Sequence, residues 1–298
     1  MNIDSQNLQT ADSRQIPPYP PFTKGGHGGI KNSSLKLSKL RRFVMFSVLI
    51  FFLLQFFRVK ALVGGLTGSL AVWFVRLIDV FAYLESLLAS MDFTTTALLA
   101  VFPIIAIYII FGRAFCGWIC PMDYLFEVIG RARNYRGIKP KITPKIGYGI
   151  AVGLLIISGL LSVPFFTNYL SHLTNLFRLL SGGVFFAFDL PVEPTVLLFS
   201  AGVISSLLIL EFFFPRLWCR VLCSVGKTYG LFNKISLLRL KFAKDECGGC
   251  NLCEQVCYMD VKITPHLDQP ALRDINCIYC GRCVEGCKTK GKLIKMKF

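Results

Sequence analysis

Histidine is scarce in this chain: there are three in 298 residues, His27, His172 and His266. No Cys-x-x-Cys-His occurs, so covalent c-type haem attachment is excluded. With only His172 near a long apolar segment, a bis-histidine haem held within the chain is excluded on ligands. A Gly-rich nucleotide fingerprint is also missing, which argues against dinucleotide and P-loop chemistry. Acids are few, 17 against 33 Lys and Arg, for a formal charge of +16. That balance alone fits a nucleic-acid binder; the positions of the charges argue otherwise.

What is abundant is apolar. Hydrophobic residues make up 54% of the chain, with 27 phenylalanines, against about 45–50% in soluble domains. A polytopic membrane protein is the first expectation. The 12 cysteines fall into tight Cys-x3-Cys and Cys-x2-Cys groups, a spacing that holds metal far more often than disulfides.

Residues 1–35 are rich in Pro and Gly and lack periodic apolar residues, so a disordered segment is expected. The polar stretch before the first apolar run is too long for a signal peptide. Phe43–Phe57 follows Lys36, Lys39, Arg41 and Arg42 and reads as a signal anchor, lengthened by snorkelling of Arg42, Arg58 and Lys60. Three clearer spans follow at Thr95–Gly112, Ile146–Phe166 and Thr195–Phe213. Gly149 and Gly153 in the second of these offer a small-residue face, or only the usual glycine of membrane helices. Residues 69–90 carry Arg76 and Asp79 in a polar stripe at helical spacing, which predicts a helix lying in the interface. A matching outer helix is expected over Asn168–Ser181, with His172 and Arg178.

Positive charge sets the orientation. Residues 1–42 hold 7 Lys/Arg and 2 acids, 113–145 hold 7 and 2, and 214–298 hold 15 and 7, whereas 58–94 and 165–194 are near balance. Basic loops mark the cytoplasmic side, so both termini are cytoplasmic and the charge is topological. Lipid, not nucleic acid, is the implied partner.

A shift of 103 residues superposes Phe111–Cys120 on Phe214–Cys223, matching Arg113 with Arg216. Each half then reads as span, outer helix, span and Cys-x3-Cys loop, and parallel repeats place sites between the halves. Cys116, Cys120, Cys219 and Cys223 together supply the four thiolates of a [4Fe–4S] cluster, with four-thiolate zinc as the alternative. In the tail, Cys247, Cys250, Cys253 and Cys257 follow C-x2-C-x2-C-x3-C, and Cys277, Cys280, Cys283 and Cys287 repeat it. In two-cluster ferredoxins the fourth Cys ligates the other cluster. One set is therefore Cys247, Cys250, Cys253 and Cys287, the other Cys277, Cys280, Cys283 and Cys257. Tyr258 and Lys288 stand where a proline usually follows the last Cys. Gly248, Gly249, Gly281 and Gly286 are expected to let backbone N–H groups approach cluster sulfurs.

The expected architecture is an α-helical membrane protein with four transmembrane helices in two pseudo-repeats (36–240), followed by a small α+β ferredoxin-like domain (241–298). On these motifs the chain resembles the NapH-type family of membrane-bound quinol dehydrogenase subunits over residues 36–298. Phe115–Pro121 fits the family's first loop motif in full, and Trp218–Ser224 fits the second except that Ser224 replaces proline. The resemblance implies electron transfer between quinol and a ferredoxin-like or cytochrome partner at a bacterial inner membrane. Glu211 is a candidate proton carrier, or an ion-pair partner of Arg113 or Arg216. His172 joins Arg76, Asp79 and Arg178 in a candidate outer quinol site, or is solvated. A membrane ferredoxin that reduces or assembles another enzyme's metal centre is the alternative; such relatives usually carry a further C-terminal β-domain, not seen after Phe298. A redox sensor ranks last.

Overall fold

The computed structural model describes residues 36–54, 62–64, 69–72, 75–132, 144–189, 191, 193–242, 247, 251–267, 269–288 and 294–298. The expectations for residues 1–35, for Arg58 and Lys60, and for Gly248, Gly249 and Cys250 lie outside them. Residues 34–298 form one compact unit.

Helix α1 (Lys36–Leu54) starts seven residues before the apolar run proper, because its N-terminus is capped from far away. The Glu285 carboxylate accepts the backbone N–H groups of Leu37 (2.7 Å) and Ser38 (3.0 Å) and the Ser38 hydroxyl. An anion there satisfies orphan helix donors and suits the helix dipole.

The segment expected as one interfacial helix, 69–90, is half strand. Strands β1 (Leu62–Gly64), β2 (Ser69–Val72) and β3 (Val75–Ile78) form an antiparallel sheet, and α2 (Val80–Ser90) begins only after Asp79. Asp79 caps that helix, its carboxylate accepting from Phe81 N at 3.1 Å and Ala82 N at 3.2 Å. A short polar side chain that satisfies its own backbone starts a helix where it stands. The second expected outer helix also differs. A π-turn over Phe166–Leu170 precedes α7 (His172–Ala187), which Ser171 caps. Each helix buries one face and exposes another: Phe81, Ala82, Tyr83 and Glu85 of α2 are buried while Leu84 and Leu88 are exposed, and His172–Leu173 and Asn175–Phe177 of α7 are buried while Phe186 is exposed.

Helices α3 (Thr95–Phe111), α6 (Pro144–Leu161) and α8 (Pro194–Phe213) occupy the three clearer apolar segments. Among the described residues, α8 is the one helix long and apolar enough to cross a membrane by length and composition; Thr95–Phe111 and Lys145–Leu161 are apolar but shorter. A Cβ built on Gly149 or Gly153 meets nothing within 4 Å, so the small-residue face of α6 is not a packing face here. Helices α7 and α8 pack together, α2 packs on α6, and α2 also reaches α9 (Ser224–Phe232), while α7 touches α5 (Pro121–Ala132).

The tail folds around an antiparallel pair, β4 (Arg239–Phe242) with β5 (Ile294–Lys297), Leu240 facing Met296. Short helices α10 (Leu252–Gln255) and α11 (Arg282–Lys288) pack together beside it. The chain is mostly helical, and the described residues form two apolar cores. One lies among the long helices around Phe126, Phe166 and Leu173, the other in the tail around Leu240, Ile278 and Tyr279. Cys116 and Cys219 pack against both.

Candidate metal centre

A residue with positive φ stands between each long helix and the cysteine loop that follows it. At the end of α3 it is Gly112, φ 59°. A Cβ built there would meet Asn233 Oδ1 at 2.5 Å, and the same oxygen accepts the Arg113 N–H at 2.7 Å. Glycine is required by both the dihedral and the close approach. The chain then enters α4 (Ala114–Trp118), which carries Cys116, and Cys120 follows just before Pro121 opens α5. After α8 the left-handed residue is Arg216, φ 62°, its N–H donated to Glu211 Oε2 at 2.8 Å. A π-turn over Trp218–Leu222 carries Cys219. Cys223 then caps α9, its sulfur accepting the Gly226 N–H at 3.3 Å. Ser224, in the proline's place, is buried as the first residue of that helix.

The two loops meet. Cys116, Cys120, Cys219 and Cys223 line one cavity with Arg113, His172, Gly226 and, from the tail, Met259 and Ile278. Gly226 leaves room for its neighbours: a Cβ there would lie 2.6 Å from Arg113 Nη2 and 3.4 Å from Cys223 Sγ. Burial pushes the Cys116 thiol up, against the pull of the Arg113 guanidinium. It pushes Cys120 and Cys219 well up and Cys223 up to about 12. Two buried thiols, Cys120 and Cys223, and two half-buried ones, Cys116 and Cys219, around one cavity with a buried cation at its edge match the donor set of a cluster that binds thiolates and releases their protons. Among the described residues, no three His, Cys, Asp or Glu side chains form a group that could hold a single metal ion.

In the tail, Cys283 lies in the field of Cys280, Cys277 and Cys257, in that order, and then of Cys253. The first three are the partners assigned to it by spacing. Of the other set, Cys247 is exposed and Cys253 and Cys287 are half-buried. Gly281, φ 76°, is fitted to α1: a Cβ there would run into the Leu37 side chain.

The tail is clamped to the cavity by its own backbone. A Cβ on Gly117 of α4 would collide with Ile278 O, and one on Gly230 of α9 would lie 2.5 Å from Ile275 O. Trp118 Nε1 donates to Tyr279 O at 2.9 Å. Asn233 Nδ2 donates to Asp274 O and Cys277 O, both at 2.8 Å. The segment that carries Cys277 and Cys280 therefore sits directly over the cavity.

Comparison with known proteins now bears on this arrangement. The family profile of a 4Fe-4S binding domain matches twice, at residues 93–139 and 194–244. The chain is 30% identical over 265 residues to the ferredoxin-type protein NapH of Haemophilus influenzae, covering 84% of this chain and 86% of that one. The chain belongs to the NapH-type ferredoxin family. It is also 30% identical to the methylamine utilization ferredoxin-type protein MauN of Methylorubrum extorquens, covering 72% of this chain and 75% of that one, and 28% identical to NapH of Escherichia coli, covering 83% and 85%. No solved structure matches. As a family member, this chain binds [4Fe–4S] and works in iron–sulfur electron transfer.

The remaining candidate residues of this NapH-type chain are placed as follows. Glu211 is buried and held by Arg216, through the backbone bond above and a 3.8 Å contact to Nε, which is the ion-pair arrangement. His172 is buried against Cys120, away from solvent. Arg178 donates to Asn168 O at 2.6 Å, and Asp79 serves as a helix cap. Sequence reasoning missed a buried charge network that joins the parts. Arg41 of α1 contacts Asp123 (3.1 Å), Glu127 and the Tyr258 hydroxyl. Arg216 pairs with Asp123. The Tyr258 ring lies between the Arg216 and Arg282 guanidinium groups, at 4.1 and 4.3 Å. Tyr258 had already stood out as the residue in place of proline; the departure carries this interlock.

Proposed function

We propose that the chain is a multi-pass membrane subunit, with α1, α3, α6 and α8 as its four spans in two repeats and both termini cytoplasmic. In this reading it passes electrons between quinol and a redox partner subunit. Three [4Fe–4S] clusters are held, one by Cys116, Cys120, Cys219 and Cys223, one by Cys277, Cys280, Cys283 and Cys257, and one by Cys247, Cys250, Cys253 and Cys287. The observation that carries the proposal is the cavity lined by four thiols from two loops 103 residues apart, continuous with the tail core through Cys116 and Cys219. The double match of one family profile, once on each loop, supports the repeat. Apolar side chains exposed on all four long helices, among them Phe43, Phe102, Leu160 and Leu198, support lipid contact.

Iron–sulfur clusters take up and release electrons one at a time, as splitting a quinol's pair requires. The chain's own residues set the path. Cys116 and Cys219 lie where the two cores join, and Ile278, beside Cys277, closes the cavity from the tail side. Arg113 places a buried cation next to the thiolates, its Nη1 also donating to Ile275 O at 3.2 Å. The exposure of Cys247 supports a reading in which the first tail set faces the partner. The test is purification without oxygen, iron quantitation and mixing with quinol. Three cubanes predict about 12 Fe per chain, and menaquinol or ubiquinol is expected to reduce them. Clusters that respond to no quinol, with any added partner, would favour the assembly role instead.

A further inference from the structure

His172 is the first residue of α7, and the π-turn before it carries its side chain into the cysteine cavity. Its two ring nitrogens have different partners. Nδ1 lies 3.1 Å from Trp218 Nε1, and Nε2 lies 3.8 Å from Cys120 Sγ. An indole nitrogen can only donate, so Nδ1 must accept. A cationic ring would turn an N–H against the indole N–H, which leaves the neutral ring with its hydrogen on Nε2. That hydrogen faces the sulfur. The ring is 5% exposed, so its contact with the sulfur is made out of reach of solvent. Trp218 is itself fixed, stacked on Phe166 with planes 12° apart.

We propose that His172 is a positioning residue that donates its Nε2–H to the Cys120 sulfur, held in that tautomer by Trp218, and thereby raises the reduction potential of the cluster at the four-cysteine cavity. The inference rests on the reading that these four cysteines hold a [4Fe–4S] cluster. A donor to a ligand sulfur draws charge from it and favours the reduced, more negative state, one of the levers by which proteins tune such clusters. The contact is made to a ligand of the cavity set, so the effect is expected at that cluster. It makes the cavity cluster a better acceptor than its thiolates alone would.

The test uses full-length protein purified without oxygen, as wild type, His172→Phe, His172→Gln and Trp218→Phe. Each is assayed for iron and titrated under controlled potential with an EPR readout. About 12 Fe per chain is expected in all four. At fixed potential the reduced-to-oxidised ratio of the cavity cluster should fall about tenfold in His172→Phe, equivalent to about 59 mV for a one-electron couple. His172→Gln keeps an N–H and should recover most of the shift. Trp218→Phe removes the lock and should move the ratio in the same direction by less, with the tail clusters unmoved throughout. Retained iron with an unchanged ratio in His172→Phe and Trp218→Phe would overturn the inference and leave the cluster in place. If His172→Phe loses the cluster, Trp218→Phe decides, an unchanged ratio again overturning the inference. About eight Fe in the wild type would instead remove the cluster assignment itself.

Discussion

The loop after α3 turns at Gly112, whereas the loop after α8 turns at Arg216, and the two turns are braced from opposite directions. Gly112 adopts its left-handed φ without steric cost and leaves room for Asn233, whose side chain also grips the backbone at Asp274 and Cys277. Arg216 takes a positive φ of 62° with a full side chain. It is held by Glu211 on its own helix and by Asp123 from the other half. One half thus fixes its cysteines through hydrogen bonds from Asn233 and Arg113 to the tail backbone, the other through a buried ion cluster. Quasi-equivalent backbones need not share the interactions that hold them, and the difference makes the two loops separable by mutation.

Arg216→Leu should be the most damaging change short of removing a cysteine. It leaves Glu211 buried without its cation and Asp123 with Arg41 alone, a loss of about 3–5 kcal/mol, read as a lower unfolding midpoint of the purified protein. A change within ~0.5 kcal/mol, as at an ordinary surface site, would mean that the ion cluster does not brace the second loop. Gly112→Ala tests the first loop. A left-handed alanine costs about 1–3 kcal/mol, and the collision with Asn233 should loosen the tail as well, which limited proteolysis between residues 233 and 274 would detect. Glu211 separates brace from proton carrier. Glu211→Gln retains an oxygen for the Arg216 N–H and should keep both stability and quinol-driven reduction, whereas Glu211→Leu orphans that N–H at about 1–3 kcal/mol. A stable Glu211→Gln protein that no longer accepts electrons from quinol would return Glu211 to the proton path. Tyr258→Phe should have the smallest effect, about 1 kcal/mol from the lost hydroxyl bonds, since the ring between Arg216 and Arg282 is retained. Tyr258→Ala should exceed it by a further ~2 kcal/mol from the desolvated cation–π contacts.

What could be read from the residues beforehand follows the range of the interaction. The cysteine spacings are covalent and local, so the two tail motifs and the two loops were legible, and the 103-residue repeat was enough to predict that Cys116 and Cys219 approach. The strands at 62–78 were not legible, because the polar stripe through Arg76 and Asp79 has helical spacing and strand pairing is set by partners in three dimensions. Arg41 looked like one more cytoplasmic charge flanking an apolar run. Nothing local to it reveals Asp123, Glu127 and Tyr258, up to 217 residues away. His172 illustrates the same limit. On an amphipathic segment a lone histidine reads as solvated, and only the π-turn before it and the packing of Trp218 bring it to Cys120.

The central claim is that the two loops hold one cluster between them, half from each. Iron per chain in Cys116→Ala, Cys219→Ala and the double variant tests it most directly. One shared cluster predicts that each single variant falls from about 12 Fe to about eight and that the double variant falls no further. About 12 Fe retained in either single variant, or a further loss in the double variant, would contradict the account.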